Sequence, residues 1–412
     1  MAKLFAFEDE TVMDDAVPAA AEVEAEQVVS ELTEDASGVE EGVTAIDDGE
    51  EAASQLEEVQ EVVAATVDGT GEAQGLDPVA AEAIRIAVES ICARMGASTK
   101  QFYALYATEN FESKSSRVAN TKIALESIAD TLKNVWAKIV AFLKGLVAKV
   151  VGFWNKLMYN INGTLKSVKA LQKKVKDNEG STADLTKETR ELVMPKSVLS
   201  AFGQSEITSE IVTKSLSGFT TLMKTFNDDI AIMSKDSADA TSVRVKVISS
   251  NGYELFFNKT LETKALAKSF DDETNEANSS ISIQVVDSGK TLPDSCKSQV
   301  LKKDEMRKVL DACVTTLTAM SDIYKNVNNL SEVMKAKDRD FEKAIAELNT
   351  KASDANTEDN IAKQREMMKK FKKNRDAVVS CIKLASPKLQ VNGVRGIRAS
   401  MDYVKASLAK YK

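Results

Sequence analysis

Between Asp130 and Asp177 the chain carries ten lysines and no acidic residue, and its apolar residues return at helical spacing. No other feature restricts the fold as strongly. At about 100° per residue, Val135, Trp136, Ile139, Phe142, Leu143, Leu146, Val147, Val150, Phe153, Trp154 and Leu157 fall on one half of a wheel. Lys133, Lys138, Lys144, Lys149 and Lys156 fall on the other. Residues 131–158 therefore read as a cationic amphipathic helix about 40 Å long. The helical pattern extends over about 114–176 and ends in a basic run, Lys166 to Lys176. Only five prolines and 17 glycines punctuate 412 residues, so long helices are expected throughout.

Charge divides the chain in two. Residues 1–82 hold 24 Asp/Glu and one Lys, a net of −23; the remaining 330 hold 53 Lys/Arg and 39 Asp/Glu, a net of +14. An acidic arm thus precedes a basic body, and the two attract. The arm is poor in aromatics and rich in Ala, Val, Glu and Gly, a composition that predicts disorder or marginal helix. A body of that sign suits an anionic partner, nucleic acid or a membrane surface.

The fold class expected is mostly α: long helices in a bundle-like body, a small antiparallel β insertion at about 240–290, and a disordered acidic N-terminal arm. Asp77-Pro78 is an N-cap followed by proline at the first helical position, so a helix begins at about 78 and runs to about 95. Others are expected at about 97–110, 182–192, 195–202, 205–234, 303–352, 356–386 and 393–411, with a short one near 261–270. Asn326 to Asn329 are a candidate kink in the 303–352 helix. Val243, Val245 and Val247 alternate with polar residues, Asn251-Gly252 signals a hairpin before Tyr253–Phe257, and Ile281, Ile283 and Val285 make a third strand. Composition shifts suggest four regions: an acidic arm or propeptide, 1–78; an amphipathic and basic helical region, 79–180; a helical region with the small sheet, 181–300; and long basic helices, 301–412.

Histidine is absent, which removes every Ser-His or Cys-His arrangement and the commonest zinc ligand. Cys92, Cys296, Cys313 and Cys381 form no CxxC pair and read as free thiols in a reducing compartment. Met1–Phe7 is too short an apolar stretch for a secretory signal. No GxxxxGK[ST], GxGxxG or GxSxG occurs, and Gly393-Val394-Arg395-Gly396 is a weak glycine pair. Nothing points to an enzyme or to a cofactor.

Two kinds of site remain. The apolar face of 131–158, with Trp136, Phe142, Phe153 and Trp154, fits a bundle core and also fits a membrane-surface helix; five lysines disfavour a membrane span. Lys166, Lys169, Lys173, Lys174 and Lys176 form one cationic run, and Lys302-Lys303 with Arg307-Lys308 form a second. Lys369, Lys370, Lys372, Lys373 and Arg375 form the densest. Such runs are either solvated helix faces or non-specific contacts to phosphates; none is a base-reading motif.

The acidic arm, the segment Leu125 to Lys144 with its Lys-rich continuation to Lys176, and a small β element before long Lys/Glu-rich helices carry a resemblance. Together they resemble the internal head (inner-capsid) proteins of large contractile-tailed bacteriophages. That resemblance implies a structural virion protein, packed in the prohead with scaffold or capsid proteins, trimmed by a prohead protease, and kept beside the packaged DNA or ejected with it. It implies residence inside the capsid, and in the host cytoplasm during assembly. The protease of this group cuts after Glu with a small or aliphatic residue two positions earlier. Ala80-Ala81-Glu82 and Leu32-Thr33-Glu34 match, as do Ala20-Ala21-Glu22 and Gly38-Val39-Glu40. The competing reading is a membrane-active or host-directed effector that uses helix 131–158.

Overall fold

The computed structural model describes residues 19–67, 74–96, 113–180, 185, 190–233, 254–256, 259–264, 282–287, 291–352, 378–379 and 381–411. Over these it is mostly helical, as the pattern predicts. The elements in chain order are α1 (Ala19–Ala65), α2 (Pro78–Arg94), α3 (Lys114–Asp177), β1 (Glu191–Pro195), α4 (Lys196–Phe202) and α5 (Ser209–Met233). Then come β2 (Glu254–Phe256), β3 (Lys259–Lys264), β4 (Ser282–Asp287), β5 (Ser295–Gln299), α6 (Lys303–Ala352) and α7 (Pro387–Leu408).

The 64 residues of α3 make a rod of roughly 96 Å at ~1.5 Å per residue. Ser113 caps its start by accepting from the Ser116 amide at 3.2 Å. Asp77 caps α2 in the same way, through the Ala80 amide at 2.7 Å, with Pro78 at the first position. The helix α3 lies between α1 and α6, and α6 packs in turn on α5. Both neighbours run antiparallel to α3. Along α6, Tyr324 Oη donates to Asn155 Oδ1 at 2.7 Å and Gln172 Nε2 donates to Asp311 Oδ1 at 2.7 Å. Along α1, Asp35 meets Lys156 at 2.7 Å, Gly42 lies under Leu146, and Gly49 lies under Ile139. A Cβ at Gly42 would stand 2.7 Å from Leu146 Cδ1, so the buried Leu146 side chain would have to shift to admit one.

Of the disorder or marginal helix expected for the acidic region, the structure has helix over Ala19–Ala65. Leu32, Val39, Ile46 and Ala53 recur every seven residues, and all are buried in the common core. That spacing gives α1 a seam, and the apolar face of α3 supplies its partner. Burial of Val29, Leu32, Val39, Ile46, Leu56 and Val63, at ~1.5–3 kcal/mol each, is worth on the order of 10 kcal/mol before ordering entropy. Composition alone hid this, because the seam is built from few and small side chains.

Two departures are local. Residues 191–195, which include the end of the helix expected over 182–192, form strand β1. Leu192 and Met194 are buried while Val193 is 71 % exposed, a period of two. The partner of β1 is β5, antiparallel, pairing Glu191 with Gln299 and Pro195 with Ser295. Residues 259–264 form β3 rather than the start of the helix expected near 261–270. Thr260 and Thr263 suit a strand, and β3 pairs antiparallel with β2 on one side and β4 on the other. Strands β2 and β4 fall on the runs 253–257 and 281–285 that the patterning reads as strands. Asn251-Gly252, Val243, Val245 and Val247 lie outside the described residues, as do the expected helix at 97–110 and most of that at 356–386.

The helix α6 continues unbroken through Asn326–Asn329, and Asn326 Nδ2 donates to Asn227 Oδ1 at 2.8 Å. The last helix starts at Pro387, six residues before the expected 393. The chain turns at Ser386, whose φ is 25°, and proline then opens α7. Gly393 lies beneath the Phe219 ring, which would meet a Cβ at 2.5 Å; this glycine serves the α5–α7 contact.

Candidate nucleic-acid interface

Three stretches of chain meet at one end of the α3–α6 pair. Because the two helices are antiparallel, the last turns of α3 lie beside the first turns of α6. Lys303 fastens them: its Nζ donates to the Asn178 carbonyl and lies 5.7 Å from the centre of the Tyr411 ring. Tyr411 Oη donates to the Leu301 carbonyl at 2.9 Å, which brings in the chain's last residues. The structure thereby joins the Lys166–Lys176 run to the Lys302–Lys308 run.

On α3, Lys166, Lys169, Lys173 and Lys176 fall within a sector of about 80° at ~100° per residue. Val168, Leu171 and Val175 are buried on the opposite side. The four lysines are exposed, as are Lys174, Lys302 and Lys308. The nearby acids have local duties. Asp304 holds Arg307 at 3.1 Å, Glu305 accepts from the Lys302 amide at 2.8 Å, and Asp311 accepts from Gln172. The Glu305 contact is the return half of a capping box. Lys303 and Arg307 are thus committed to structure. Lys166, Lys169, Lys173 and Lys176 are left as an outward ridge with no ion pair among the described residues. Lys369, Lys370, Lys372, Lys373 and Arg375 lie outside the described residues.

The amphipathic-helix residues are divided. Trp136, Phe153 and Trp154 are buried, with Phe153 and Trp154 edge to face at 6.1 Å between centroids. Phe142 alone is exposed, at 53 %. The face read as either core or membrane-binding is occupied by this chain's own helices. No helix among the described residues is long and apolar enough to cross a membrane.

The candidate cleavage triplets sit inside helices. Leu32 of Leu32-Thr33-Glu34 is buried in the α1 seam, and Thr33 Oγ1 donates to the Val29 carbonyl at 2.6 Å. Ala81 of Ala80-Ala81-Glu82 is fully buried. Glu82 accepts from Arg85 Nε at 2.8 Å, and this hydrogen bond lowers its pKa from the ordinary carboxylate value.

The structure adds a second set of basic residues that local patterning did not single out. Lys383 reaches Asp47 at 3.3 Å, Lys388 reaches Glu40 at 3.2 Å and Arg94 reaches Glu51 at 3.7 Å. With Lys156 they reach the acidic helix from four stretches of chain, α2, α3, the 381–385 helical turn and α7. Such exposed pairs are each worth ~0–1 kcal/mol, far less in sum than the seam beneath them. The heptad Leu32-Val39-Ile46-Ala53 was the signal that could have revealed the docking.

The fold is thus a set of long packed helices with a cationic end and an acidic flank. The chain belongs to the phiKZ-like phage internal head proteins, whose family model matches residues 15–412. Membership places it in the virion, inside the head. No curated protein and no solved structure matches it.

Proposed function

We propose that this internal head protein contacts packaged DNA without sequence preference, through the lysine ridge at the α3–α6 end. The ridge of Lys166, Lys169, Lys173 and Lys176, exposed and unpaired among the described residues, carries the reading. Phosphate contacts of this kind position a duplex but read no bases. Each contact releases counterions, so affinity falls with salt by ~0.9 log units per log unit of salt for each phosphate neutralised. Replacing the four lysines by Gln should therefore flatten the salt slope by about three to four units and should not change the preference between duplexes of different sequence. An unchanged slope would sink the assignment of this ridge.

Trimming by a prohead protease is part of the same proposal, with a condition set by packing. A protease takes its substrate extended, whereas Leu32 and Ala81 are buried in helices. Cutting at Leu32-Thr33-Glu34, which leaves most of α1 on the body, or at Ala80-Ala81-Glu82 with the released α1 kept on its seam, thus belongs to the assembly stage, while these helices are not yet packed and prohead scaffold or capsid proteins surround the chain. The trimmed protein then stays beside the DNA and leaves the head with it. The N-terminal residue of the protein from mature particles tests this: a new terminus at Asp35 or Ala83 supports it, and an uncut terminus refutes it.

A further inference from the structure

Two exposed charged stripes on this chain are complementary. Along α1, Glu34, Glu41 and Asp48 are exposed, seven residues apart, and unpaired among the described residues. On the α3 ridge Lys166 and Lys173 are seven residues apart, and so are Lys169 and Lys176. Seven residues advance a helix by about 10.5 Å, so an α1 laid along the ridge would set carboxylates at the interval of the lysines. The α1 helix contains no Lys or Arg between Ala19 and Ala65, and nothing in it opposes such a contact.

Within one molecule the stripes cannot meet. Asp35 lies opposite Lys156 and Gly42 opposite Leu146. The acidic stripe therefore runs beside the middle of α3, short of its basic end, and faces away from the Leu32-Val39-Ile46 seam. Among the described residues, neither stripe has an occupant within its own molecule.

We infer that the acidic outer face of α1 docks on the lysine ridge of a second copy of this chain. The contact is heterologous, since different surfaces of the two copies meet, and it extends into open chains of molecules. It uses the ridge that the proposed function assigns to phosphates, so neighbour and DNA exclude one another. Exposed ion pairs are individually weak and are screened by salt. The association therefore belongs to low ionic strength and crowded protein, and a duplex with its denser charge displaces it.

Sedimentation velocity of the full chain at low ionic strength tests this with two variants. One is Glu34→Gln/Glu41→Gln/Asp48→Asn; the other is Lys166→Gln/Lys169→Gln/Lys173→Gln/Lys176→Gln. The unaltered protein should form concentration-dependent oligomers that moderate salt or added duplex DNA disperses. Each variant alone should associate at least about tenfold more weakly, as one half of every contact is gone. Mixed in equal amounts, the two should form a heterodimer and nothing larger, because each supplies the half the other lacks. A monodisperse unaltered protein at low salt, or a mixture that stays monomeric, overturns the inference. Duplex binding by the Glu/Asp variant separates the two readings. Heterodimer without DNA binding removes only the proposed function; DNA binding without heterodimer removes only this contact.

Discussion

The acidic helix α1 and the basic end of α3 are both highly charged, yet only α1 is built into the core by both its apolar seam and its ion pairs. The carboxylates of α1 flank a seven-residue apolar seam, and Asp35, Glu40, Asp47 and Glu51 are met by cations from α2, α3, the 381–385 helical turn and α7. The lysines of 166–176 flank Val168, Leu171 and Val175, which are also buried, but their charged tips meet no carboxylate among the described residues. Charge therefore does not tell a structural helix from a binding surface. The number of opposite charges that the fold brings within reach does.

The largest expected effect tests the structural half of that contrast. Removing residues 1–65 exposes the face of α3 that includes Ile139 and Leu146. The seam it deletes is worth on the order of 10 kcal/mol, similar to the whole stability of a domain. The expected result is loss of the cooperative calorimetric transition, or aggregation, in residues 66–412. A body that melts as before would show that α1 is an appendage held by charge.

Single substitutions in α1 should then fall in order. Leu32→Ala should cost ~2–5 kcal/mol as a core truncation, read as a lower denaturant midpoint. Gly42→Leu should cost ~1–3 kcal/mol by overpacking against Leu146. Gly38→Ala meets no atom within 4 Å and should stabilise by ~0.5–1 kcal/mol through helix propensity. If Gly42→Leu were as benign as Gly38→Ala, α1 would not approach α3 as described. On the other helix, the four ridge lysines changed to Gln should move stability by no more than ~0.5 kcal/mol. A large loss there would give the ridge a structural duty.

Sequence patterning succeeded where one segment carries its own evidence. The Asp77-Pro78 cap and the unbroken apolar stripe put α2 and α3 within a residue or two of their observed limits, and α6 starts and ends where expected. It failed where the deciding partner is distant in the chain. The mate of β1 is β5, about 100 residues later, so Leu192–Met194 alternation alone lost to the surrounding helical pattern. The α1 seam is half Ala and Val, and only the α3 face makes it adhesive. The joined basic end was half visible: both lysine runs stand out in the sequence, but antiparallel packing of α3 on α6 was needed to bring them together.

The smallest effect concerns two buried thiols, Cys313 and Cys381. Burial pushes Cys313 and Cys381 up to about 12, from an ordinary 9.0. For Cys313 a hydrogen bond with Ser400 opposes the shift without cancelling it. A thiol whose pKa is higher in the folded than in the unfolded state favours folding below the unfolded value, because both states are then neutral and packing is undisturbed. Above about 9 the unfolded chain gains the thiolate and the folded chain does not, so this stability drains away as pH rises toward 12. The denaturant midpoint should decline over that window, and Cys313→Ala/Cys381→Ala should show a shallower decline from a lower start. At neutral pH a thiol reagent should modify half-buried Cys296 first and Cys313 and Cys381 only on the unfolding timescale. Rapid modification of Cys381, which lies two residues from the lysine that holds Asp47, would mean that the 381–385 helical turn opens readily. The clasp on α1 would then be looser than the seam beneath it, and the two charged helices would differ less than their packing suggests.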